Sequence, residues 1–132
     1  MASEKEIEEA VDTARENGSE SILLFHCVSS YPATTEQSNL KYIKHLKEKY
    51  KVEVGLSDHT ISNTASISAI TLGASAIEKH FTIDKETGVD GDFSLDINEL
   101  KLLVKSSKSA WESLGNGKNE RTNSELQNRK FR

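Results

Sequence analysis

Apolar residues fall into two alternating rhythms along this chain. Ile7, Ala10, Val11 and Ala14 recur at helical spacing behind Ser3 and Glu6, whose separation is that of a capping box. With Gly18 as a left-handed stop, the pattern predicts a helix over 4–17. Residues 22–27 are instead a short, nearly unbroken apolar run, as in a strand buried on both faces. A loop over 28–38, punctuated by Pro32, leads to Leu40, Ile43, Leu46 and Tyr50, the apolar face of a second helix with lysines outward. A second strand is expected over 52–56, a helix of small and β-branched residues over 62–72 ended by Gly73, and a third strand over 75–81. Asp96 and Glu99 repeat the capping-box spacing ahead of a stripe made by Leu100, Leu103, Val104, Ser107, Trp111 and Leu114, closed by Gly115.

Strands alternating with helices imply right-handed crossovers and a parallel sheet, an α/β fold of three strands and four helices. Three strands are too few to close a barrel and leave two open sheet edges, so the chain reads as part of something larger. Residues 1–115 form the folded unit. Residues 116–132 are polar and carry five basic against two acidic residues, and read as a linker or an unfinished element.

Composition narrows the function classes. In 132 residues there are 17 basic and 21 acidic side chains, a net charge of −4, which argues against a nucleic-acid partner. No apolar run is long enough to span a bilayer, so no membrane partner is expected. The single cysteine, Cys27, excludes an internal disulfide framework and fits a reducing, cytoplasmic setting.

The densest chemistry lies where strands end. Gly55-Leu56-Ser57-Asp58-His59-Thr60 closes the second strand and Glu78-Lys79-His80-Phe81-Thr82 the third. Carboxyl ends of parallel strands open on one rim, where ligands bind. Alternation puts Ser57 with His59 on one strand face, and Glu78 with His80 and Thr82 on one face of the next; Ile77 and Phe81 then face the helices, and Lys79 is expected to snorkel outward. Two converging imidazoles fit a divalent metal with open positions, and equally two hydrogen-bonded strand-end residues. Two ligands are one short of the usual catalytic zinc shell, which favours Mn²⁺ or Mg²⁺ completed by substrate oxygens. Ser29, Ser30 and Tyr31 on the same rim fit either a plain turn or a holder of phosphate or carboxylate. Cys27 reads as a structural thiol, His26 has no fixed facing, and His45 among lysines reads as solvated. Asp90 and Asp92 lie in a flexible acidic loop suited to a solvated turn, to sugar hydroxyls or to a metal.

Taken together, these segments resemble the sialic acid synthase family, enzymes that condense phosphoenolpyruvate to make N-acetylneuraminate, pseudaminate and legionaminate. The resemblance is carried by Leu24-Phe25-His26-Cys27, Ser29-Ser30-Tyr31-Pro32, the two histidine segments 21 residues apart, Leu72-Gly73-Ala74-Ser75 and Phe93-Ser94-Leu95. It implies the last three βα units of a partial TIM (β/α)₈ barrel, with residues 128–132 approaching an antifreeze-like domain. It further implies His59 and His80 as ligands of Mn²⁺ or Mg²⁺, which polarises the aldehyde of an open-chain N-acylated hexosamine of the N-acetylmannosamine type. Carbon 3 of phosphoenolpyruvate attacks that aldehyde, water adds at carbon 2, and phosphate leaves, giving a nine-carbon keto acid. Ser29, Tyr31 and Ser57 match positions around phosphoenolpyruvate, and Asp90 an acid that grips sugar hydroxyls. Glu78, on the His80 side of its strand, is expected to orient a water on the ion. Ser29 stands where some relatives carry Asn. Gly88-Val89-Asp90-Gly91 stands where the family often has Gly-Pro-Asp-His, a form leaning toward pseudaminate-type enzymes. The resemblance also implies a homodimer for the full-length protein. A truncated or split-gene product without activity, or a small metal- or phosphate-binding module, are the alternatives.

Overall fold

The computed structural model describes residues 1–131. Helix α1 (Glu4–Glu16) leads to strand β1 (Leu23–Cys27), helix α2 (Lys41–Tyr50), strand β2 (Glu53–Asp58), helix α3 (Thr64–Thr71), strand β3 (Ile77–Lys79), helix α4 (Ile97–Ser113) and helix α5 (Asn123–Asn128). Short 3-10 turns occupy Thr35–Ser38, Gly91–Phe93 and Arg129–Phe131. The strands form one parallel sheet in the order β1-β2-β3. Both capping boxes read from the sequence are formed, Ser3 with Glu6 and Asp96 with Glu99.

One face of the sheet is a core and the other is bare of helices. Val54 and Leu56 of β2 pack with Ile43, Leu46 and Tyr50 of α2, Val11 of α1, and Ala65 and Ala69 of α3, with Leu24 and Ile77 at the margin. Alternation sends Leu23, Phe25, Gly55, Ser57 and Glu78 to the opposite face. There Leu23 and Phe25 remain 43% and 40% exposed. His26 falls on the helix side, where its Nε2 lies 2.8 Å from the Ser38 carbonyl and its ring meets Tyr42 edge-on.

Several expectations are corrected by packing. β2 runs on to Asp58, because Ser57 and Asp58 pair with Glu78 and Lys79. β3 is only three residues long, because past His80 the backbone bonds to Leu95: the Leu95 amide donates to the His80 carbonyl and the Thr82 amide to the Leu95 carbonyl. Leu95 is thereby buried, and Phe81 stays 45% exposed instead of joining the core. Lys79 does not snorkel: its side chain is 3% exposed and paired with Asp58. His45 is not freely solvated, since its Nε2 lies 2.8 Å from Glu4 Oε1 and its ring stacks on Tyr42.

On α4 the strip facing inward is narrower than the sequence stripe. Leu103 is buried and Leu100 and Ser107 partly so, whereas Val104, Trp111 and Leu114 stay exposed. The short, small-residue helix α3 packs against α4. Helix α5 brings the helices to five; its signal was the Thr122–Glu125 capping-box spacing in an otherwise polar stretch. Among the described residues no helix is long and apolar enough to cross a membrane.

Candidate active site at the strand ends

β2 and β3 deliver the two histidines to the same rim. Ser57 sits opposite Glu78 and Asp58 opposite Lys79, so His59 and His80 follow as the next neighbours across the sheet. Their ring centroids are 5.2 Å apart with planes at 60°. His59 is buried, and its Nδ1 lies 3.0 Å from the Val28 carbonyl. A carbonyl only accepts, so Nδ1 carries the proton and the lone pair of His59 sits on Nε2. His80 Nδ1 lies 3.5 Å from Asp90 Oδ2.

Aromatic rings wall the pair. Tyr31 lies 4.3 Å from the His59 ring and 6.0 Å from that of His80, and Phe93 stands 5.0 Å from His80 and 5.8 Å from Tyr31. Phe93 is 8% exposed and Tyr31 55%. The Tyr31–Pro32 peptide is cis, and the Ala33 amide donates to the His59 carbonyl at 2.9 Å, so the loop after β1 is bonded onto the end of β2. Ser57 Oγ donates to Glu78 Oε1 at 2.6 Å. Ser29 is exposed beside Cys27, 3.8 Å from its sulfur. Asp90 stands in the 82–94 loop, which borders a cleft of about 310 Å³ lined by His80, Thr82, Val89, Asp90 and Ser94. Ring and ion-pair contacts join His59, His80, Tyr31 and Asp90; Ser57 and Glu78 pair with each other two residues before the histidines, Ser29 lies beside Cys27, and of these residues His80 and Asp90 line the cleft.

Sequence reasoning missed two features. Cys27 has an imidazole partner in space, His59 Nδ1 at 3.9 Å, contributed by the neighbouring strand. Asp58 is the centre of a buried hydrogen-bond set from Thr60, Ser66 and Lys79. Burial pushes the Asp58 carboxyl up, but the Ser66 hydroxyl, the Thr60 amide and Lys79 together outweigh it and hold it below its usual value. Alternating charge at Asp58 and Lys79, each next to a histidine, was the available signal.

Among the described residues no three His, Cys, Asp or Glu side chains converge as a complete metal shell. His59 and His80 would supply the two nitrogen donors of a divalent ion, whose remaining ligands would have to be oxygens of water or substrate.

A profile described as the NeuB family matches residues 1–119. The chain belongs to the NeuB family. It is 41% identical over 132 residues to a pseudaminic acid synthase of Campylobacter jejuni, covering 99% of this chain and 38% of that protein. It is also 41% identical over 131 residues to an N,N'-diacetyllegionaminic acid synthase of Campylobacter jejuni, covering 97% of this chain and 39% of the relative. The solved N-acetylneuraminic acid (sialic acid) synthetase of Leptospira borgpetersenii, in complex with citrate, superposes with a TM-score of 0.87 at 38% identity. That match covers 100% of this chain and 46% of the synthetase. The NeuB chain thus spans about two fifths of the length of the curated relatives, and its three strands are part of a TIM barrel.

Proposed function

We propose that this chain provides the part of a nonulosonate synthase that holds the divalent ion and lines the substrates, phosphoenolpyruvate and an N-acylated hexosamine. The observation that carries the reading is the His59–His80 pair, 5.2 Å between rings, with the His59 proton committed to the Val28 carbonyl. Mn²⁺ or Mg²⁺ bound by His59 and His80 would supply Lewis-acid polarisation of the sugar aldehyde.

The chain's own residues do the rest of the work on this rim. Ser29 and Tyr31 offer hydroxyl donors to the phosphate or carboxylate of phosphoenolpyruvate. Ser57 holds the Glu78 carboxylate at 2.6 Å, and Glu78 orients the water that adds at carbon 2 and accepts its proton. Asp90, half-exposed at the cleft mouth, accepts hydrogen bonds from sugar hydroxyls. Tyr31 packs against the His59 ring and Phe93 against that of His80. Carbon 3 of phosphoenolpyruvate joins the aldehyde carbon, and the C–O bond to phosphate breaks after water has added. The acylated sugar falls in the class used by pseudaminate- or legionaminate-forming relatives.

The test is Mn²⁺ titration followed by the electron paramagnetic resonance of the free ion. Saturable binding is expected in the wild-type chain and its loss in His59→Ala/His80→Ala. Phosphoenolpyruvate is expected to tighten Mn²⁺ binding, with reciprocal linkage. Equal binding by wild type and double variant would remove the paired-histidine site.

A further inference from the structure

Asp58 and Lys79 point away from the rim, yet each immediately precedes one of its two histidines. Lys79 Nζ stands 3.0 Å from Asp58 Oδ2, 2.5 Å from the Thr60 carbonyl and 3.2 Å from the Ser62 carbonyl. Asp58 Oδ1 accepts the amide and the hydroxyl of Thr60, both at 2.8 Å, and Oδ2 accepts Ser66 Oγ at 2.5 Å. The two side chains are 3% and 1% exposed, and Ser66 is fully buried. An ammonium has three protons to donate, and here three oxygens receive them.

Stability alone does not account for this pair. Desolvating two charges costs about what their attraction returns, and an apolar pair of the same volume often serves as well. An apolar pair has no direction, however. Lys79 grips the backbone after His59 at two carbonyls, while Asp58 grips it at the Thr60 amide, so the segment bearing His59 is tied to the residue before His80. From the other side the Ala33 amide holds the His59 carbonyl, and the Leu95 amide holds that of His80.

We propose that the buried Asp58–Lys79 pair is a positioning element that sets the spacing and tilt of the His59 and His80 rings. It thereby sets the affinity of the rim for a divalent cation without touching ion or substrate. Its affinity arm rests on the metal-site reading above; its geometric arm does not.

The test replaces the pair with neutral side chains of similar size, Asp58→Asn with Lys79→Met. In metal-free protein, long-range ¹H–¹⁵N spectra of the imidazoles report tautomer and surroundings. The His59 and His80 signals are expected to move, with those of His26 and His45 unchanged as internal controls. Mn²⁺ affinity is expected to fall by about tenfold or more, the usual range for groups that orient metal ligands. Far-UV circular dichroism verifies that the variant is folded. Ser66→Ala, which removes one bond to Asp58 at constant charge, is expected to move the same signals less, and decides the matter if the double variant does not fold. Unmoved His59 and His80 signals in the folded variants would overturn the proposal. So would an unchanged Mn²⁺ affinity where the wild type binds. A wild type that does not bind Mn²⁺, combined with ring signals that do move, would sink the metal-site reading and leave the positioning role standing.

Discussion

Ser57 and Glu78 face each other across β2 and β3, and the serine hydroxyl donates to the glutamate carboxylate at 2.6 Å. The contact couples the two strands on the face that carries no helix, directly below the histidines. A hydrogen bond to a charged acceptor is worth more than a neutral one, though partial exposure weakens it here. A double-mutant cycle of Ser57→Ala and Glu78→Gln in urea unfolding is expected to give a coupling of about 1 kcal/mol. Additive single effects would show that the bond contributes nothing to the folded state.

Glu4 ties the start of α1 to α2. Its carboxylate lies 2.6 Å from Lys49 Nζ and 2.8 Å from His45 Nε2, and these bonds, Lys49 first, lower it from an ordinary 4.5 to about 2. A carboxyl depressed on folding contributes stability that is complete above its unfolded value and disappears as pH falls through its folded value. The unfolding midpoint of wild type is therefore expected to exceed that of Glu4→Gln above about pH 4.5, with the gap closing toward pH 2. Because Glu4 is half-exposed, added salt should narrow the gap at neutral pH. A gap independent of pH would contradict the assignment.

Gly55 is required by its neighbours more than by its backbone angles. A Cβ there would stand 2.8 Å from both the Phe25 ring and the Ala76 carbonyl oxygen. Gly55→Ala is expected to cost about 1–3 kcal/mol in urea unfolding, the range for overpacking. Trimming Phe25 to alanine in the same chain should not restore stability, because the Ala76 carbonyl belongs to the backbone that bonds to Leu56.

Trp111 is the single tryptophan and is 66% exposed on the outer side of α4. Its fluorescence is expected to be red-shifted and readily quenched by iodide, and Trp111→Gln should change stability by less than about 0.5 kcal/mol. Blue-shifted, protected emission would mean that this face of α4 is covered in solution.

Much of this molecule is written in its local patterns. The spacing of Ile43 and Leu46, the apolar run ending at Cys27 and the capping boxes at Ser3 and Asp96 each specify an element through backbone and burial rules that act within a few residues. Strand alternation likewise put Ser57 with His59 and Glu78 with His80, because successive side chains must point to opposite faces. Other features depend on residues distant in the chain. Lys79 is buried because Asp58, 21 residues earlier, supplies a charge that its own segment lacks. Phe81 is left outside because Leu95 returns to bond beside His80, and Val104 and Trp111 of the α4 stripe lie exposed. Sequence alone thus determined the three strands, the first four helices, their order and the facing of Ser57 and Glu78, since those follow from local geometry. Only the tertiary structure decided which charges are paired and which apolar residues are covered, since both depend on what the fold brings alongside.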